Sequence, residues 1–198
     1  MGSIMKSLMV FVLLLTAVMT GVTKPNNDRE FILKFGIQPL NTLSRKSEGN
    51  NVSFNTKIGF SAGFEYFQYL NNIAALGLGA MYDFPRKAID NDNDDDSISF
   101  VPLFAAVKLR TPAQGLDNDN TFMFCSGRIG ASIPIISGLS DGAKQKPGFY
   151  CGAGIGFNIN YIVIEAIYAI NNFSVSGDFG KNDFDCQTIS LYAGFKFK

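Results

Sequence analysis

Two glutamates, Glu65 and Glu165, are the side chains in this sequence best suited to chemistry, because paired carboxylates can act as general acid and general base. Each interrupts a stretch of alternating apolar residues, as do Lys34, Arg128 and Lys196. Buried acids and bases also pair without taking part in any reaction. We therefore favour structural ion pairs over catalysis for these residues.

Other catalytic chemistry is limited by what the chain lacks. It contains no histidine, which excludes Ser-His-Asp triads, Cys-His pairs and histidine-ligated zinc. The three cysteines Cys125, Cys151 and Cys186 show no metal-ligand spacing, and their odd number leaves at least one unpaired, so we interpret them as small apolar residues. We expect no enzymatic activity, no catalytic residues and no cofactor.

An acidic run at Asp90–Asp96 is the remaining candidate for a metal site. The EF-hand calcium loop requires glycine at its sixth position and glutamate at its twelfth, where this sequence has Asp95 and Val101. Charge runs are usually solvated, so we predict an exposed acidic loop and no metal site.

Composition places the chain in a particular class. Its 198 residues suit one domain, 46% are hydrophobic and 17% are charged, against roughly 25% charged in typical soluble domains. The formal net charge is zero and the pI is near 6.2, so no basic field is present to bind nucleic acid.

The N-terminus has the order of a secretory signal peptide. Lys6 precedes an apolar run over 8–18, and smaller, more polar residues follow. The run is shorter than the ~20 residues of a spanning helix. We predict a signal peptide over 1–22 with cleavage near 21–23, and a single barrel domain over 23–198.

The elements that position the charged residues are strands with period-two alternation. In the clearest case, residues 187–198, Ile189, Leu191, Ala193, Phe195 and Phe197 share one face. We predict eight strands, within residues 31–38, 58–66, 74–84, 101–110, 123–132, 149–160, 162–170 and 187–198. Tight turns are expected at Asn71–Asn72 and Asn160–Tyr161, a medium connection at 111–120 and long loops at 40–56, 85–96, 134–147 and 171–185.

This order of short and long connections predicts an all-β fold, an eight-stranded antiparallel up-and-down transmembrane β-barrel. Side-chain size predicts its orientation, because the face opposite the bulky residues is rich in glycine and suits a narrow lumen better than a water-facing surface. The lumen is then expected to hold a polar network of Lys34, Glu65, Arg128, Glu165 and Lys196. Aromatic girdles at the strand ends are predicted from Tyr66, Phe67, Tyr69, Tyr82, Phe84, Tyr150, Tyr161, Tyr168, Phe195 and Phe197.

The sequence resembles the OmpA/OmpX-type eight-stranded outer-membrane barrels in three pieces, Gly152–Gly156, Glu165–Tyr168 and Gly194–Phe197. It departs from their pattern in ending with Lys198 after Phe197. The resemblance implies the outer membrane of a Gram-negative bacterium, contact with outer-membrane lipid and lipopolysaccharide, and recognition of strand 187–198 by the barrel assembly machinery.

Three functions remain open at this level. The first is a non-enzymatic structural or surface-interaction role, with a surface ligand bound through loops 40–56, 85–96, 134–147 and 171–185, and with the acidic run bridging divalent cations to lipopolysaccharide as a weaker variant. The second is a narrow porin-like channel. The third is a secreted, lipocalin-like carrier of a small apolar ligand, in which the bulky face would point inward.

Overall fold

The structure is a computed structural model that describes residues 29–47, 50–86, 97–111, 121–137, 144–177 and 180–197. The predicted signal peptide over 1–22, its cleavage near 21–23 and the acidic run Asp90–Asp96 lie outside these residues. None of the described residues belongs to a helix long and apolar enough to cross a membrane.

Ten antiparallel strand segments form one sheet. They are β1 (Arg29–Ser47), β2 (Asn50–Asn55), β3 (Gly59–Tyr69), β4 (Ala74–Arg86), β5 (Ile98–Arg110), β6 (Thr121–Ile136), β7 (Lys144–Lys146), β8 (Gly148–Ile159), β9 (Ile162–Gly177) and β10 (Gly180–Phe197). β2 and β3 pair in succession along β1, and β7 and β8 along β9, so each pair makes one barrel strand.

The sheet closes where β10 pairs with β1, with Phe197 opposite Phe31. Closure removes the free edges that an open sheet would expose. The result is a closed, eight-stranded antiparallel barrel, which confirms the predicted fold class.

The two ends of the barrel differ in their connections. At the end that we call the turn end, Asn71 Oδ1 accepts hydrogen bonds from the backbone N–H groups of Ile73 and Ala74 at 2.8 Å. Asn160 forms a second tight turn there with a φ of 55°, in the left-handed region that asparagine tolerates. Both turns lie where the sequence predicted them. The opposite end, which we call the loop end, carries the β1–β2, β4–β5, β6–β7 and β9–β10 connections.

Three of the predicted loops were wrong in extent. Residues 40–56 are largely strand, because β1 continues past Pro39 through a register shift between Ile37 and Leu40. Residues 171–185 are strand except for 178–179, which lie outside the described residues, and strands also cover the two ends of the predicted loop 134–147. Beyond the apolar part of the barrel both sheet faces carry polar residues, so alternation fades while backbone pairing continues.

The bulky residues point outward. Phe60 is 58% exposed, Ile155 70% and Phe195 58%, whereas the inward Glu65 is 1% exposed. Exposed phenylalanine, leucine and isoleucine side chains form a belt around the barrel, far larger than an apolar patch on a soluble monomer. This is the predicted orientation.

Several aromatic residues predicted for the girdles lie in the lumen instead. Phe67 is 1% exposed, Tyr69 8% and Tyr150 5%. Phe67 and Tyr69 lie two and four residues after Glu65, so they are on the same inward face of β3. The girdle prediction overlooked this. Glycine on a neighbouring strand provides the room that such rings need: a Cβ added to Gly79 would lie 2.5 Å from the Phe104 ring.

Candidate functional site: the filled lumen

Four charged side chains meet at the middle of the lumen, and we call them the central ion cluster: Lys34, Glu65, Arg128 and Glu165. Each sits on a different strand, respectively β1, β3, β6 and β9, at an inward position. All four are at most 4% exposed. The period-two alternation of each strand directs them to one point, although Lys34 and Glu165 are 131 residues apart in sequence.

Each ion in the cluster contacts both ions of opposite sign. Lys34 Nζ lies 2.5 Å from one oxygen of Glu65 and 2.5 Å from one oxygen of Glu165. Arg128 donates from Nε to Glu65 Oε1 at 2.7 Å and from Nη2 to both oxygens of Glu165 at 2.9 Å. Two cations thus balance two anions, which is the condition for keeping ions in a low-dielectric interior.

The neighbouring residues complete the cluster. Ser126 donates a hydrogen bond to Glu165 Oε1 at 2.5 Å and accepts one from Arg128 Nη1 at 2.8 Å. A Cβ added to Gly154 would lie 2.8 Å from both Glu165 Oε1 and Ser126 Oγ. A larger residue at position 154 would therefore displace the glutamate.

The fifth predicted network residue, Lys196, lies nearer the turn end. It is 4% exposed and its Nζ is 5.6 Å from the centre of the Phe122 ring. Its backbone N–H donates to Tyr161 O in the turn at 2.7 Å.

A second group, the turn-end cluster, comprises Glu30, Tyr69 and Lys108. Glu30 forms an ion pair with Lys108 and accepts a hydrogen bond from the Tyr69 hydroxyl at 2.9 Å. Lys108 Nζ also lies 4.4 Å from the Phe124 ring centre and 5.1 Å from that of Phe67. Ring faces stabilise a cation, and do so more strongly where water is excluded.

A third group, the loop-end cluster, comprises Gln38, Asn41, Asp83 and Arg86. Asp83 accepts a hydrogen bond from Gln38 Nε2 at 2.7 Å and pairs with Arg86 Nη2 at 3.4 Å. Arg86 Nη1 donates to Asn41 Oδ1 at 2.5 Å. All four residues are at most 4% exposed.

Apolar side chains occupy the lumen beyond the loop-end cluster. Phe100, Phe173 and Cys186 are buried, and Phe173 stacks on Phe184 with ring centres 4.8 Å apart. Partly buried neighbours complete this apolar plug: Leu43, Ile98, Ile136, Val175 and Phe184. The lumen is therefore filled by three polar clusters, with buried aromatic side chains such as Phe67 and Phe104 packed among them, and by the apolar plug beyond them.

Sequence reasoning missed most of the two outer polar clusters. Glu30 precedes the predicted start of the first strand, and Arg86 fell in a predicted loop. Lys108 and Asp83 lie within the predicted strands 101–110 and 74–84 but were not assigned to the lumen. Extending the parity of the first strand by one residue would have found Glu30, because β1 begins at Arg29. Parity could not have found Arg86, because a register shift between Asp83 and Arg86 turns that even-numbered residue inward.

The arrangement offers few groups for reaction. Both carboxylates of the central ion cluster are held by cations, and they are at most 1% exposed. The described residues contain no group of three or more Cys, Asp or Glu side chains placed to hold a metal ion. All three cysteines are free thiols, and they lie on separate strands. Cys125 and Cys151 are at least partly exposed, and Cys186 lies in the apolar plug.

No family model matches the sequence, and no curated protein is similar to it in sequence. Solved structures are similar in fold. Ail, the attachment invasion locus protein of Yersinia pestis, matches with a TM-score of 0.53 at 18% identity over 87% of this chain and 100% of that chain. The outer membrane protein OprG from Pseudomonas aeruginosa matches with a TM-score of 0.51 at 13% identity over 85% and 95%. Together with the closed sheet, these likenesses show that the chain has the fold of the OmpA/OmpX-type eight-stranded outer-membrane β-barrels.

Proposed function

We propose that this protein resides in the outer membrane of a Gram-negative bacterium as a non-enzymatic barrel, closed to ions, that acts through its loop end. The observation that carries the proposal is the combination of an apolar exterior with a filled, charge-balanced lumen. Its role is structural or surface-interacting, with the ligand contacted by segments outside the membrane.

The exterior supports a membrane location. Ile155 and Phe60 are exposed on the outer surface. Moving such a side chain from water into an apolar environment is favourable by roughly 1.5–3 kcal/mol, so this surface is more stable in lipid than in water. A soluble lipocalin-like carrier requires the opposite arrangement, with bulky residues facing an interior ligand pocket. In the described residues the interior holds ion clusters, so we disfavour the carrier.

The filled lumen supports a closed barrel over a narrow porin-like channel. An ion crossing it would have to pass the apolar plug and break several buried ion pairs. Removing a partner from a buried ion pair typically costs about 3–5 kcal/mol. Eight strands also leave little room beyond side chains.

The loop end supports a surface role. β1, β9 and β10 continue past the apolar belt as paired strands, with a polar outer face that includes Ser44 and Ser53. On that face Lys46 pairs with Asp185 at 2.5 Å, and this hydrogen bond and charge raise the pKa of Lys46 above its ordinary value. Such paired polar hairpins, with the connections at 85–96 and 134–147, suit recognition of a surface ligand.

Biogenesis and lipid contacts complete the proposal. The signal peptide directs secretion, the barrel assembly machinery recognises strand 187–198, and the belt contacts outer-membrane lipid and lipopolysaccharide. The acidic run Asp90–Asp96 is a solvated surface segment in this scheme. No nucleic acid and no cofactor takes part.

Cysteine labelling on intact cells tests the location and orientation together. In a variant in which the three native cysteines are replaced by alanine, Ser53→Cys at the loop end should react with a membrane-impermeant maleimide. Asn72→Cys, which is exposed at the turn end, is the matched control and should react only after the outer membrane is disrupted. Equal labelling of both variants in intact cells would contradict the orientation, and recovery of the protein in the soluble fraction would favour the carrier.

A further inference from the structure

A small cavity lies in the lumen between the central ion cluster and the loop-end cluster. Its volume is about 10 Å³, and its polar lining includes Gln38, Asp83, Asn171 and Tyr192. A cavity of roughly 10–15 Å³ holds about one water molecule. The cavity is therefore large enough for one water and too small for a hydrated ion.

Two buried oxygen atoms of the lining residues lack a hydrogen-bond partner within the described residues, Gln38 Oε1 and Asn171 Oδ1. Both side chains are 1% exposed. The orientation of the Gln38 amide is fixed, because its Nε2 donates to Asp83 Oδ1 at 2.7 Å. Flipping that amide would place an oxygen against a carboxylate, so Oε1 remains an acceptor that needs a donor.

An unmet buried acceptor is costly, about 1–3 kcal/mol, and is seldom tolerated without a partner such as ordered water. Because both residues line one water-sized cavity, a single donor in that cavity could serve both acceptors. A bare cation is a poorer fit, because Arg86 already pairs with the one carboxylate of the lining at 3.4 Å. The loop-end cluster thus has no surplus negative charge for a cation.

We propose that this cavity is a binding site for one structural water molecule, which donates its two hydrogens to Gln38 Oε1 and Asn171 Oδ1. The water connects β1 with β9, two strands that β10 separates in the sheet. It therefore links two strands on either side of β10, at a level where no direct bond between these two amides is made. This inference concerns the lumen alone and stands whether or not the barrel conducts.

A crystal structure of the full chain, refolded in detergent, tests the proposal directly. The wild-type protein should show one density peak within about 3 Å of both amide oxygens. Asn171→Leu, of similar volume but without an acceptor, should lose the peak. It should also unfold more readily in urea, with an unfolding equilibrium constant raised about tenfold, since it leaves Gln38 Oε1 unmet. Asn172→Leu, on the exposed face of the same strand, is the matched control and should retain both the peak and the urea midpoint.

Three results would overturn the water site. The first is an empty cavity in the wild-type density. The second is a peak that acquires anomalous signal after rubidium soaking, which would identify a cation. The third is an Asn171→Leu variant more stable than the wild type, because that is the outcome expected if a dry, unmet amide is replaced by an apolar group.

Discussion

Arg128 is the side chain whose loss should affect the barrel most. It is 4% exposed and contacts both glutamates of the central ion cluster. Without it, two buried carboxylates share only Lys34. Breaking a buried ion pair leaves a charge that is neither hydrated nor paired.

We expect Arg128→Met to lower the free energy of unfolding by about 3–5 kcal/mol. The measurement is the urea midpoint of the refolded protein, followed by far-ultraviolet circular dichroism. The double variant Arg128→Met with Glu65→Gln should recover part of the loss, because Lys34 and Glu165 then remain as a balanced pair.

Lys46 is the matched control for this residue-scale prediction. It also forms an ion pair at 2.5 Å, but its side chain is 56% exposed. Water and salt screen such a pair, so Lys46→Met should leave the urea midpoint nearly unchanged. Equal effects at positions 46 and 128 would contradict the low-dielectric description of the lumen.

At the scale of the strand, adjacent residues have opposite environments. Gly154 on β8 faces the central ion cluster, where an added Cβ would lie 2.8 Å from Glu165 Oε1, whereas Ala153 is exposed on the belt. We expect Gly154→Val to destabilise the barrel by about 1–3 kcal/mol through overpacking. Ala153→Val should be nearly neutral in the same urea titration, and a reversed order would mean that the strand faces are assigned wrongly.

The belt gives a second strand-scale prediction. Ile155 is 70% exposed near the middle of β8. A lysine facing lipid at the bilayer midplane costs about 2–4 kcal/mol. Ile155→Lys should therefore lower the yield of folded barrel in phospholipid vesicles, as measured by the band that shifts on boiling in gel electrophoresis. Asn172→Lys, on the polar outer face of β9, should fold with wild-type yield, and a similar loss at both positions would argue against the belt.

Strand parity explains both what the sequence predicted and what it did not. Alternation located eight strands and the orientation of Glu65 and Arg128, because one face of each strand is predominantly apolar. It failed at β1 beyond Pro39, where polar residues occupy both faces and only backbone pairing defines the strand. Hydrophobicity alone also could not place Phe67, since the lumen accommodates rings wherever glycine lies nearby: an added Cβ on Gly77 would lie 2.6 Å from the Phe67 ring.

At the scale of the whole molecule, the lumen is a stack of layers. The turn-end cluster, the central ion cluster and the loop-end cluster follow one another, and the apolar plug around Phe100 and Phe173 lies beyond them. Strands distant in sequence contribute to every layer, so the filling also fixes the register and closure of the sheet. A barrel filled in this way leaves its two ends as the surfaces that extend beyond the apolar belt.

Electrical recording of the purified, refolded protein in planar phospholipid bilayers tests this closed barrel most directly. We predict no stepwise conductance from the wild-type protein under conditions in which a porin control opens. Reproducible single-channel steps from the wild-type barrel, lost when the protein is denatured by boiling, would contradict the account and establish a continuous aqueous path through the lumen.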